Sequence, residues 1–202
     1  MTIMVESLTK NVEDNLKFIN ISTEDFQLFE WKPPRSFRSY FLDLNIVKEN
    51  ATENIFNHID KGNMKITYTR KGKIYLSAGS DSKLQFQIME AILEYLDEQF
   101  VEMFDIDVIF SYDNVSTNIF KPFKEKVENT IKNLDKLDLI KPINVRCRGC
   151  NKRVKIYIRK SMIRNAESYP VPLVYRHEGH ALLSYIDEDF HVRGSEIVNI
   201  TG

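Results

Sequence analysis

The sequence predicts an α+β protein in two parts, and three observations carry that expectation. Residues 64–78 alternate apolar and polar side chains around Lys71-Gly72, the pattern of an antiparallel hairpin. Residues 82–101 place Leu84, Ile88, Met89, Ile92, Leu93, Tyr95, Leu96 and Phe100 at helical spacing, a stripe broad enough to lie across a sheet. After Leu139-Ile140-Lys141-Pro142 the helical texture gives way to short β-rich runs, which divides the chain into 1–140 and 141–202.

The elements of the first part follow in order. Residues 1–15 have scattered apolar positions and suit a loose helix or tail, with no function assigned. Residues 26–31 favour extended chain, and Lys32-Pro33-Pro34-Arg35 ends it because neither proline can donate to a ladder. In 40–46, Tyr40, Leu42, Leu44 and Ile46 share one face while Asp43 and Asn45 share the other, which predicts a second strand. Residues 50–60 have helical composition, with Ile55, Phe56 and Ile59 at helical spacing and Gly62 placed to terminate them.

Ser82 and Gln85 then form an S-x-x-Q capping box ahead of the long helix. Its polar stripe of Gln87, Glu90, Glu94, Asp97 and Glu98 is expected to face solvent. Residues 107–110 read as a short buried connection. Proline is favoured in a first helical turn and disfavoured inside a helix, so Pro122 starts a last helix over 122–136 with a separate turn before it.

This order of elements is carried by K-I-T-Y-T-R-K-G-K-I-Y-L (65–76), M-E-A-I-L-E-Y-L-D-E-Q-F (89–100) and D-I-D-V-I-F-S-Y-D-N-V (105–115). It resembles the longin or SNARE-like fold of trafficking proteins, including the small chains of clathrin adaptors. The likeness is hydrophobic rather than chemical. Two features depart from it: the strand expected before the hairpin is short or missing, and Pro122 falls where adaptor small chains carry an unbroken helix. The resemblance implies a non-enzymatic scaffold or adaptor that binds proteins, with small GTPases or membrane-trafficking factors as the family-level expectation. An unrelated α+β layer with the same element order is the other reading.

The second part carries two tetrads, Cys147-Arg148-Gly149-Cys150 and His177-Glu178-Gly179-His180, each between β-rich runs. Both have a ligand-capable residue at the first and fourth positions and glycine at the third. Two hairpin tips of this kind can present four ligands tetrahedrally, as zinc requires. The arrangement resembles a zinc ribbon whose second C-x-x-C has become H-x-x-H. Cys147, Cys150, His177 and His180 are therefore candidate ligands of a structural zinc, since four filled positions leave none for a catalytic water. A reduced structural cysteine pair and an ordinary Glu-Gly hairpin turn are the alternatives. The histidines stand three apart, unlike those of the metalloprotease H-E-x-x-H, while His58 and His191 are isolated and expected at the surface or its boundary.

A net charge of −1 excludes a polyanion binder acting through its whole surface, but the charge is unevenly spread. From Lys141 to Gly202 there are 11 basic and 6 acidic residues, and Arg146 to Arg164 includes no acid. Strand alternation turns Val154, Ile156 and Ile158 inward and Lys155, Tyr157 and Arg159 outward, the candidate partner-binding face. It suits nucleic-acid phosphates, an anionic membrane or an acidic protein, and a solvated edge strand is the other reading. Nucleic-acid binding through this module is the alternative to the adaptor function.

No phosphate-cradling glycine loop or nucleophile-elbow motif occurs, and no enzyme is expected. Two cysteines are too few for a disulfide framework, and no apolar run approaches the roughly 20 residues of a membrane span. Glu6, Lys10, Glu13 and Asp14 argue against a secretory signal. A cytoplasmic location is expected, with peripheral contact to a membrane left open.

Overall fold

The structure, a computed structural model, describes residues 7–34, 44–111 and 116–198. It divides into two units, Met1–Leu137 and Asp138–Gly202. The first holds β1 (Leu16–Ser22), β2 (Gln27–Trp31), β3 (Asn57–Asp60), β4 (Met64–Lys71) and β5 (Ile74–Asp81) in one antiparallel sheet, ordered β2-β1-β5-β4-β3. Around it stand α1 (Leu8–Asn15), α2 (Leu44–Asn50), α3 (Phe86–Met103), α4 (Ile106–Ile109) and α5 (Phe123–Lys132).

Period-2 patterning explains the two sheet faces. One face joins Phe18, Ile66, Tyr68 and Tyr75 to Val47 of α2 in a single buried cluster. The Phe18 ring lies over Gly79, where an added Cβ would fall 2.1 Å from the ring, so only glycine fits. The opposite face meets α3, whose Leu93 is 1% exposed. Phe29 of β2, Phe100 of α3 and Phe123 of α5 then meet edge to face at ring separations of 5.0 to 5.3 Å.

The structure corrects several expectations. Of the strand expected over 40–46, residues 40–43 lie outside the described residues and 44–46 begin α2, a helix that buries Val47. The helix expected over 50–60 is replaced by β3, paired through Ile59 and Ile66. Ile55 is 55% exposed there, so a helical stripe through it would have had nothing to bury against. Gly62, at φ +77°, closes the β3–β4 turn instead of a helix. The long helix starts at Phe86 rather than Ser82, because Asp81 Oδ1 accepts from the Lys83 amide at 2.9 Å and holds that stretch in a turn. Val108 in α4 is exposed, so 107–110 is no buried connection. Pro122 does cap α5, after a separate 3₁₀ turn at Thr117–Phe120.

The polar stripe of α3 is not uniformly solvated. Glu90 and Asp97 are buried, with Glu90 Oε1 3.0 Å from His58 Nε2 and Asp97 Oδ2 2.8 Å from Lys71 Nζ. Seven residues apart, the two carboxylates sit on one helix face and reach partners on β3 and β4.

The second unit pairs β6 (Ile140–Arg146) with β7 (Arg153–Arg159) as a two-stranded ribbon, then passes through α6 (Lys160–Arg164). β8 (Val171–His177), β9 (His180–Ile186) and β10 (Val192–Val198) form a three-stranded sheet ordered β10-β9-β8. Val145, Cys147, Val154, Ile156 and Ile158 from the ribbon share one buried core with Leu173, Leu182 and Ile186 from the sheet.

Candidate metal centre

Each tetrad occupies a hairpin tip, and local backbone chemistry explains why. At the first tip the Cys147 amide donates to the Lys152 carbonyl at 2.9 Å, and the Asn151 amide donates to the Cys147 carbonyl at 2.8 Å. Asn151 takes φ 61°, a left-handed conformation that asparagine tolerates better than most residues. At the second tip His177 pairs directly with His180, and Glu178 and Gly179 both have positive φ, 46° and 80°. Two such residues make the primed turn that matches the twist of the flanking strands.

The first tip turns donors onto a sulfur. The Cys150 amide draws the Cys147 thiol below its ordinary pKa against an upward push from burial, and the Gly149 amide and Cys150 thiol add to the pull. Successive amides converging on one atom make an anion-binding concavity, here centred on the Cys147 sulfur. Cys147 is fully buried and Cys150 half-buried.

The second tip brings an imidazole to this pair. His177 Nε2 lies 3.4 Å from Cys150 Sγ. Two corners of a tetrahedron around zinc, with Zn–S about 2.3 Å and Zn–N about 2.0 Å, stand about 3.5 Å apart. The contact therefore has the spacing of two ligands sharing one ion. Cys150, His177 and Glu178 have potential ligand atoms all within 4.8 Å of one another. Cys147 is not a member of that cluster; among the expected ligands whose side chains are described, its thiol interacts with that of Cys150 alone. The backbone of His180 holds the register position across from His177, while its side chain lies outside the described residues.

Glu178 and Lys152 were not anticipated from the sequence. Lys152 Nζ stands 2.8 Å from both Glu178 carboxylate oxygens, a pair that ties the two tips together and raises the Lys152 pKa. Glu178 Oε2 is 3.7 Å from His177 Nε2. Only the place of Glu178 inside its tetrad hinted at this, since the partner lies on the other hairpin.

The expected partner face is partly corrected. Lys155 is exposed, Arg159 is half-buried and Tyr157 is 9% exposed. Register puts Tyr157 on the outward side opposite Pro142, where the Lys155 ammonium lies 4.9 Å from its ring centroid. His191 is a surface residue near Asp187, while His58 stands at a boundary and is engaged by Glu90.

Comparison with models of known protein families gives no match, and comparison with curated proteins gives none. No helix among the described residues is long and apolar enough to cross a membrane.

Proposed function

We propose that this chain is a non-catalytic binding protein whose second unit is stapled by one zinc ion held by Cys147, Cys150, His177 and His180. The observation that carries the reading is the 3.4 Å approach of His177 Nε2 to Cys150 Sγ, across two hairpin tips far apart in sequence. The amide-lined Cys147 sulfur supports it, because zinc takes the thiolate and not the thiol. Glu178 is engaged by Lys152, which leaves His180 as the fourth ligand. Two thiolates and two neutral imidazoles cancel the charge of the ion and fill its tetrahedron, so the role is structural.

The first unit is read as a longin-like scaffold for protein partners, with small GTPases or membrane-trafficking factors as the class that resemblance implies. The β2-β1-β5-β4-β3 order supports this reading, as does β3, which supplies the strand that the sequence pattern left in doubt.

Elemental analysis of the purified chain tests the staple. Zinc at about one per chain is expected, and its loss to a chelator should strip hydrogen-exchange protection from β6 to β10. Metal-free protein whose melting is unmoved by chelation would contradict the proposal.

A further inference from the structure

The two faces of the β6–β7 ribbon differ in kind. Val145, Val154, Ile156 and Ile158 are buried in the core, while Asn144, Arg146, Arg153 and Lys155 are exposed. Register sets Arg146 directly across from Arg153 and Asn144 across from Lys155, and exposed Arg148 extends the same cationic end at the tip. Like charges directly opposed across a ladder destabilise it, and lysine alone would keep an edge soluble. Folding thus supplies no reason for an Arg–Arg pair. Among the described residues Arg148 and Arg153 have no carboxylate partner, and Arg146 Nε donates to the neutral Asn151 Oδ1 at 2.7 Å. The nearby carboxylate of Glu178 is held by Lys152.

We propose that Arg146, Arg148, Arg153 and Lys155 bind the phosphodiester backbone of double-stranded nucleic acid without regard to base sequence. Guanidinium forks match phosphate oxygens two at a time, and counterion release favours several such contacts at once. A two-stranded ribbon is an element that the major groove of B-form DNA admits. Tyr157, the aromatic on this face, is buried and offers no ring to unpaired bases, which disfavours single strands. No exposed large apolar side chain belongs to either strand, so nothing on this face would enter a bilayer. The proposal goes beyond the zinc-stapled scaffold, and the metal content of every preparation, read in parallel, keeps the two separable.

The test is fluorescence anisotropy of a labelled random-sequence duplex of about 30 base pairs, titrated with the full chain across a salt series. Neutralising four phosphates predicts a slope of log K against log[salt] of about −3.6. Arg148→Glu with Arg153→Glu should weaken binding about tenfold or more at low salt. Arg148→Gln with Arg153→Gln, which removes charge without reversing it, should make the slope shallower by about 1.8 while melting and metal content stay unchanged. Three results would overturn the proposal: no salt-dependent binding of the duplex, a slope unmoved in the glutamine variant, or arginine-dependent binding to phosphatidylserine vesicles without duplex binding.

Discussion

Cys147→Ser should release the metal and unfold the second unit, while peptides from α3 and α5 keep their exchange protection. Cys147 is a proposed ligand and also a fully buried member of the core that joins the ribbon to the three-stranded sheet. Structural zinc supplies roughly 10–16 kcal/mol of binding free energy in small peptides, as much as the roughly 5–15 kcal/mol that holds a whole domain folded. A buried thiol without metal predicts something smaller. The serine oxygen would keep an acceptor for the Cys150 and Gly149 amides, so the change would cost at most about 1–3 kcal/mol, and a chelator would not touch the wild type. Amide exchange followed peptide by peptide, with and without chelator, separates the two. On the zinc account the mutation and the chelator give the same pattern and do not add.

The second large effect is expected in the first unit, where Phe100→Ala should cost about 3–5 kcal/mol. Phe100 is completely buried, and its ring meets those of Phe104, Phe120 and Phe123 at 5.0 to 5.4 Å. One side chain thus joins α3, the 3₁₀ turn before Pro122 and α5, and truncation leaves a cavity that three separate elements cannot collapse together to fill. Denaturant unfolding monitored by the single Trp31, itself buried on β2, reads this loss. A change under about 1 kcal/mol would mean that the aromatic cluster does not hold these elements.

How legible each element was depended on how many of its faces are buried. β4 and β5 showed a clear hairpin because alternation survives on β4, although the two-residue turn that sets their register is Gly72-Lys73, one residue on from the expected Lys71-Gly72 pair. The broad stripe of α3 was equally plain. β1 went unassigned because it lies inside the sheet between β2 and β5 and is buried on both faces, so Leu16, Phe18, Ile19 and Ile21 give no period-2 signal. β3 is four residues long, and its Ile59 suited a helix or a strand equally well until Ile66 was there to pair with it. Glu90 and Asp97 read as solvated because their partners His58 and Lys71 lie on strands that no helical projection can show.

The candidate site divides in the same way. Spacing within each tetrad marked Cys147, Cys150, His177 and His180 as candidates, and the structure brings Cys150 and His177 together across the two tips. The Lys152–Glu178 pair joins two tips 26 residues apart in sequence, and only the folded unit brings them together. Tyr157 shows the limit of alternation as a guide: a strand pattern gives the side a residue faces, and Tyr157 faces outward yet is 9% exposed.

The account turns on one ion joining two hairpins, and X-ray absorption at the zinc edge of the purified chain tests it most directly. Two sulfur scatterers at about 2.3 Å and two nitrogen scatterers at about 2.0 Å are predicted, with both nitrogens showing the outer-shell pattern of imidazole. Zinc bound by oxygen and nitrogen alone, or an edge with sulfur but no imidazole, would mean that the two tips do not share a metal and would contradict the account.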